Sequence, residues 1–164
     1  MQVAEALAQK YDVVVTNPPY MSVSNGGEKL VKYVQKNYEE GKADLFAVFI
    51  QRCLQMAKIQ GEAALITQHA WMFLGSFEKL RTYLSRYNIT SMAHLGARAF
   101  EEISGEVVQT TAFTVRKMSL NGQYTGTYNR LITGNSEAEK SRDFLSGKYR
   151  FQSCGKYFLQ IPES

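Results

Sequence analysis

The chain has 164 residues, of which 45% are hydrophobic and 21% are charged, so it is long enough for one domain with a sizeable core. No apolar run approaches the roughly 18 residues of a membrane helix, and the amino terminus lacks the charged-then-apolar pattern of a secretory signal. The net charge of +4 is mildly favourable for nucleic acid, but many soluble domains carry as much. Cys53 and Cys154 lie in no CxxC or Cys/His cluster, which favours reduced thiols over a disulfide or a metal site.

Apolar periodicity and turn residues predict an alternation of helices and strands. In chain order we expect a helix end at 1–10, a strand at 11–16, a loop at 22–28, helices at 28–38 and 43–59, a strand at 63–67, a helix at 75–87, strands at 89–95 and 109–117, a strand pair within 123–133 and a helix at 136–146. The helix at 43–59 has a start signal in Asp44 and is expected to end at Gln60-Gly61. This alternation predicts an α/β fold with a mostly parallel sheet.

The most informative segment is the strand at 11–16 with the sequence Asn17-Pro18-Pro19-Tyr20 directly after it. Its β-branched apolar residues are typical of a buried parallel strand, and the two prolines end that strand because neither can donate to a sheet ladder. Ligands bind beyond the carboxyl ends of strands in open α/β sheets. A stiff turn there, carrying an amide oxygen and an aromatic ring, predicts a site for a flat molecule with an amino group.

This strand and turn resemble the catalytic motif of amino-group methyltransferases that use S-adenosylmethionine, chiefly the N6-adenine DNA enzymes. Residues 42–50, 64–74 and 94–113 resemble, in order and spacing, the downstream half of that domain. The resemblance extends from about Ala4 to Pro162. It favours the large adenine methyltransferases of BREX-type phage-defence systems, the PglX family, with type IIG restriction-methylation enzymes next.

The resemblance implies a Rossmann-like class I methyltransferase of which only the carboxyl-terminal half is present. Its third and fourth strands would form the antiparallel hairpin edge of that fold. In the family, S-adenosylmethionine is bound mainly by a Gly-rich turn and an acidic residue on earlier strands, and nothing before Tyr11 supplies them. We therefore expect a fragment in which 1–120 is part of the catalytic domain and 121–164 leads toward a target-recognition region.

The resemblance also implies roles for the four residues of the turn, Asn17, Pro18, Pro19 and Tyr20. The Asn17 side-chain oxygen and the Pro18 carbonyl would accept the two N6 protons of adenine, which favours a nitrogen whose lone pair faces the sulfonium methyl group. Pro18 and Pro19 would keep these acceptors in place. Tyr20 would stack on an adenine flipped out of the duplex.

Several other residues have competing interpretations. Besides Asn17, Asp44 is a weak candidate for the cofactor site, although a helix cap is the simpler role. Phe100 is a weak candidate for packing on the target base, and a hydrophobic anchor for its loop is about as probable. Residues 71–73 are expected to be core or helix-packing residues and not base contacts. His69 and His94 lie apart without metal-ligand spacing, so no metal is expected.

Two alternatives to a DNA enzyme remain open. The same tetrapeptide occurs in methyltransferases of protein glutamine and of ribosomal RNA guanine, but those enzymes lack the segment at 100–113 and the extension after 120. The chain could also be a non-catalytic half-domain that acts in assembly. The expected partners are double-stranded DNA, the missing upstream half of the domain, and a second copy of the chain through the strand at 11–16. The expected location is the cytoplasm of a bacterium or archaeon.

Overall fold

A computed structural model describes residues 3–100, 108–119 and 124–155. In these ranges the helices are α1 (Val3–Ala8), α2 (Gly27–Asn37), α3 (Leu45–Met56), α4 (Glu78–Leu84) and α5 (Glu137–Ser146). The strands are β1 (Tyr11–Thr16), β2 (Ala57–Gln68), β3 (Tyr87–Gly96), β4 (Thr110–Ser119), β5 (Thr125–Arg130) and β6 (Arg150–Cys154). Short 3₁₀ turns lie at Val23–Gly26, Glu39–Gly41, His69–Met72 and Gly75–Phe77.

The strands form one sheet in the order β1-β2-β4-β3-β5-β6. β1 is parallel to β2, β3 is parallel to β5, and β4 is antiparallel to both β2 and β3. The chain therefore leaves β1, β2, β3 and β5 on the same side of the sheet. We call this side the carboxyl rim, marked by Thr16, Gln68, Gly96 and Arg130. Ligand sites of open α/β sheets lie on this side.

The start of β2 differs from the prediction. The helix was expected to run to 59 and to end at Gln60-Gly61, but α3 ends at Met56 and both residues lie inside β2. The register between β1 and β2 shifts at this point, and Gln60 has a φ of 67°. A Cβ on Gly61 would lie 2.9 Å from the Asp12 carbonyl oxygen. The glycine therefore marks a bulge where two backbones approach closely, and not the end of a helix.

The far side of the sheet also differs from the prediction. The predicted third and fourth strands do pair antiparallel, as β3 and β4, but β5 and β6 extend the sheet beyond them. The expected strand pair within 123–133 was wrong, because the described residues of this segment form one strand, β5, which begins at Thr125 and pairs with β6. A Cβ on Gly126 would lie 2.3 Å from the Ile89 carbonyl oxygen, so this glycine permits contact with β3.

The core lies between the sheet and the helices α3 and α4. Its fully buried side chains include Phe46, Ile50, Leu54, Leu80 and Val115. A second cluster of Val23, Val34, Tyr38 and Val48 fixes α2 and the loop that follows the Asn-Pro-Pro-Tyr turn. The turn is thus supported by packed elements on the chain after it.

The predicted helix at 136–146 is confirmed as α5. The Ser136 side chain accepts a hydrogen bond from the Glu139 amide, and Gly147 ends the helix with a φ of 69°. Cys53 and Cys154 are both buried and form no disulfide. In the ranges that the structure describes, no helix has the length and apolar character needed to cross a membrane.

Candidate active site at the carboxyl rim

The Asn-Pro-Pro-Tyr turn begins directly after β1 and lies on the carboxyl rim. Pro18 is buried, whereas Asn17 and Pro19 are exposed and Tyr20 is half-buried. Pro18 thus anchors the turn, and the Asn17 carboxamide faces solvent. The structure therefore brings the four residues together in the place where a ligand could reach the Asn17 oxygen.

The Tyr20 ring is held by packing more than by its hydroxyl group. It forms a T-shaped contact with Phe46, with ring centroids 6.2 Å apart and an interplanar angle of 84°. The hydroxyl donates two long hydrogen bonds, at 3.4 Å to the Ile66 carbonyl and 3.5 Å to Oδ1 of Asn17. Burial raises the pKa of the Tyr20 hydroxyl, which keeps it neutral.

Asp44 connects the turn to α3. Its Oδ1 accepts hydrogen bonds from the amides of Phe46 and Met21, both at 3.1 Å. The Leu45 amide also donates to the Met21 carbonyl at 2.9 Å. Burial raises the pKa of the Asp44 carboxyl, and the backbone amides partly oppose that shift. Asp44 therefore caps α3 and holds the residue after Tyr20; a cofactor role for it stays a prediction.

Phe100 lies in the chain that follows β3 and is 37% exposed. It is the last residue before the gap at 101–107, so most of the loop expected to pack on a base lies outside the described residues. The family segment that begins there continues into β4 at Thr110–Ser119. Base packing by Phe100 stays a prediction.

Sequence reasoning missed a pair of histidines on the same rim. His69 is the first residue after β2 and His94 lies near the end of β3. Nδ1 of His69 is 2.8 Å from Nε2 of His94, a hydrogen-bonding distance. Their separation in sequence hid this pair. The signal that could have found it is topological, since each histidine lies at the carboxyl end of a parallel strand.

Phe73 belongs to the same cluster. Its ring centroid lies 5.4 Å from that of His69 and 5.7 Å from that of His94. The ring is 57% exposed, so the expectation that Phe73 is a core residue was wrong. The expectation was right for Trp71, which is 4% exposed and packs on Phe113. The 3₁₀ turn at His69–Met72 places the two aromatic residues in different environments.

Both imidazoles are neutral at pH 7. Burial lowers the pKa of His94 to about 4, with further contributions from the charges of His69, Arg130 and Lys140. Burial also lowers the pKa of His69. In the described parts of the chain, no group of three His, Cys, Asp or Glu side chains could hold a metal ion.

A buried lysine lies behind this cluster and was also missed. Lys140, on α5, is 4% exposed. Its Nζ donates to the Leu95 carbonyl at 2.7 Å and to the Leu131 carbonyl at 2.9 Å. Leu95 is near the end of β3 and Leu131 directly follows β5. The lysine therefore links the ends of these two strands at the carboxyl rim. Burial lowers the pKa of Lys140.

The profile of the Eco57I restriction-modification methylase family matches residues 2–100. The chain belongs to this family. The match includes β1, the Asn-Pro-Pro-Tyr turn, Asp44 and the histidine pair, and it confirms the resemblance seen in the sequence.

Two relatives place the chain more closely within the Eco57I family. It is 46% identical, over its whole length, to the adenine-specific methyltransferase PglX of Lacticaseibacillus casei (strain Zhang). It is 44% identical, over 86% of its length, to the adenine-specific methyltransferase BrxX of Escherichia coli O9:H4 (strain HS). The matched segments are 14% and 12% of those proteins, so the chain spans only a small part of its curated relatives.

A solved structure shows the fold of this Eco57I-family chain. The methyltransferase subunit of a type I restriction-modification system from Streptococcus thermophilus superposes with a TM-score of 0.63 at 14% sequence identity. The likeness covers 93% of this chain and 36% of the other. The Rossmann-like fold of class I S-adenosylmethionine-dependent methyltransferases is confirmed.

Proposed function

We propose that this chain is part of an enzyme that transfers a methyl group from S-adenosylmethionine to N6 of an adenine flipped out of DNA, in restriction or phage defence. One observation carries the proposal: the Asn-Pro-Pro-Tyr turn lies at the carboxyl end of β1 in a chain of the Eco57I family. The PglX and BrxX relatives are both adenine-specific methyltransferases. This supports adenine over protein glutamine or ribosomal RNA guanine as the target.

Asn17 and Pro18 do the chemistry that the reaction needs from this chain. The lone pair of the N6 nitrogen is delocalised into the adenine ring, so the free amino group is a poor nucleophile. The Asn17 oxygen and the Pro18 carbonyl accept its two protons and favour a tetrahedral nitrogen with its lone pair toward the methyl group. These bonds strengthen as positive charge develops in the transition state. The buried Pro18 keeps its acceptor from relaxing away.

Tyr20 and Phe100 hold the adenine. A base that leaves the duplex loses its stacking on the neighbouring bases. Stacking on an aromatic side chain compensates for this loss and contributes about 1–3 kcal/mol. The Tyr20 ring packs on Phe46 in a T-shaped contact, which favours a defined stacking position. Phe100, at the start of the loop after β3, supplies the second contact.

S-adenosylmethionine supplies the electrophilic methyl group when bound. Asn17 and, more weakly, Asp44 contribute to its site, and its main contacts come from a further part of the domain that pairs with β1. The support is that β1 is an outer strand of the sheet, with Val13 58% and Val15 72% exposed. A second copy of the chain is the alternative partner of this strand. Residues 1–120 then belong to the catalytic domain, and 121–164 lead toward target recognition.

The test uses the full-length enzyme, and its readout is the methylated nucleoside in digested DNA. N6-methyladenine is the expected product. Asn17→Ala should lower the single-turnover rate by about 10²–10³-fold, because one transition-state acceptor is lost. S-adenosylmethionine binding, measured by calorimetry, should change little. Asn25→Ala, an exposed asparagine in the next loop, is the matched control. A wild-type rate in Asn17→Ala would contradict the proposed role of Asn17 in methyl transfer.

A further inference from the structure

The carboxyl rim carries polar side chains beyond the Asn-Pro-Pro-Tyr turn. His69, His94 and Arg130 lie at the ends of β2, β3 and β5, and we call them the rim row. His94 and Arg130 are register partners in the parallel pair of β3 and β5. We propose that the rim row binds backbone phosphates of the DNA strand that enters the Asn-Pro-Pro-Tyr turn. The inference rests on the proposed function only in taking DNA as the ligand.

The histidine pair offers a donor without a charge. Each neutral imidazole carries one N–H, so the pair has two. One N–H is used in the 2.8 Å bond between His69 and His94. The other remains on an outer nitrogen of the pair, on His94 Nδ1 or His69 Nε2 according to the tautomer. In either case the outer N–H has no hydrogen-bond partner among the described residues, and the Phe73 ring packs against both imidazoles.

Arg130 supplies the charge of the row. The residue is exposed, and within the described residues its guanidinium forms no ion pair with a carboxylate. The positive charge of Arg130 acts on the histidine pair, since it contributes to the lowered pKa of His94. An exposed guanidinium that forms no ion pair with a carboxylate is suited to binding a phosphate group, which it can hold with two parallel hydrogen bonds.

Lys140 supports the row from beneath. Its two acceptors, Leu95 and Leu131, are the residues directly after His94 and Arg130. The Leu131 amide also donates to the His94 carbonyl at 2.8 Å. The lysine therefore fixes the strand ends that carry two members of the row, and its own positive charge adds to the potential there.

The distance from the Asn-Pro-Pro-Tyr turn to Arg130 favours a DNA strand over a small anion as the ligand of the carboxyl rim. From β1 to β5 there are four strand steps, which is roughly 19 Å at the usual strand separation. At about 3.4 Å of rise per nucleotide, this equals five or six nucleotides of one DNA strand. The turn and Arg130 are too far apart to converge on one ion, but one DNA strand can touch both.

The test measures binding of the full-length enzyme to a short fluorescein-labelled DNA duplex by anisotropy, without cofactor, from about 50 to 200 mM NaCl. Loss of one phosphate contact should reduce the slope of log K against log salt by about 0.9 in Arg130→Gln. Arg130→Lys should keep most of the slope, because the charge stays. Arg86→Gln is the control, since this exposed arginine precedes β3 at the opposite end of the sheet.

A wild-type slope in Arg130→Gln would overturn the proposal, as would an equal loss of slope in Arg86→Gln or a full-length enzyme that binds no DNA at the lowest salt. Failure here is separate from failure of the proposed methyl transfer. Asn17→Ala should leave the salt slope unchanged, because the amide makes no phosphate contact. If N6-methyladenine were not the product, the slope change in Arg130→Gln would still stand.

Discussion

Tyr20 is the residue whose two proposed contributions can be separated by substitution. Tyr20→Phe keeps the ring against Phe46 and removes only two long hydrogen bonds, so target affinity should change little. Tyr20→Ala removes the stacking ring and should weaken binding of target DNA by about 1–3 kcal/mol. Fluorescence titration of the full-length enzyme with a duplex in which an abasic site lies opposite the target adenine measures the affinity of both variants. Equal losses would show that the hydroxyl matters and not the ring.

His94 should make the chain less stable in acid. Its pKa in the folded chain is about 4, against 6.5 for the free side chain. Between these values the unfolded chain binds the extra proton and the folded chain does not, so the free energy of unfolding falls as the pH falls from 6.5 to 4. Because the side chain is only half-buried, solvent screening limits this contribution to about 1–2 kcal/mol.

Urea unfolding at several pH values from neutral to 4 checks this effect. His94→Gln should show a shallower loss of stability on acidification than the unsubstituted chain. His69 contributes in the same direction, because burial lowers its pKa too, so part of the dependence should remain. The raised pKa of Asp44 acts with the opposite sign, since that stabilisation by proton uptake is lost as the pH rises. Identical pH profiles would contradict the assignment to His94.

At the scale of elements, Asp44 decides how the Asn-Pro-Pro-Tyr turn is joined to α3. Asp44→Ala leaves the amides of Met21 and Phe46 without their acceptor and should lower the free energy of unfolding by about 1–2 kcal/mol. Asp44→Asn keeps the oxygen and should lose much less. Denaturant titration compares the two. If Asp44→Asn matched the unsubstituted chain in stability but lowered cofactor affinity in the full-length enzyme, Asp44 would belong to the cofactor site as well.

Local sequence patterns predicted the elements whose cause is local. The strand at 11–16 ends at two prolines, and α5 has its cap in Ser136 and its end at Gly147. Gly61 was misinterpreted because a glycine can mark a helix end or a close backbone approach, and only the register with β1 separates the two. The pairing of His69 with His94 depends on strand order, which the residues around each histidine do not encode.

Tertiary pairing explains the other failures. β6 (Arg150–Cys154) is a strand because β5 offers it a partner, and its own residues carry no strong alternating pattern. The sequence of α5 is typical of a solvent-exposed helix, yet Lys140 is buried. The reason is that its Nζ donates hydrogen bonds to carbonyls at two strand ends that are distant in the sequence. For the candidate site, the Asn-Pro-Pro-Tyr turn was therefore predictable from the sequence, while the rim row beside it was not.

For the whole molecule, the open edge of β1 governs association. β1 pairs with β2 on one side, and among the described residues no strand pairs with its other side. Val15 is 72% exposed and Val13 58%. An outer strand with free N–H and C=O groups and exposed valines is a template for another strand. We therefore expect the 164-residue chain to self-associate, or to bind a polypeptide that supplies a strand beside β1.

Light scattering and calorimetry test this expectation on the isolated chain. Val15→Lys should reduce self-association, because a charged side chain on an outer strand opposes pairing with a second copy. Leu145→Lys, at a 78% exposed position on α5, should leave association unchanged. The isolated chain should bind no measurable S-adenosylmethionine if, as proposed, the main contacts to the cofactor come from a part of the domain that pairs with β1. A strict monomer that binds the cofactor at micromolar affinity would show that β1 needs no partner and that the cofactor site lies within these residues.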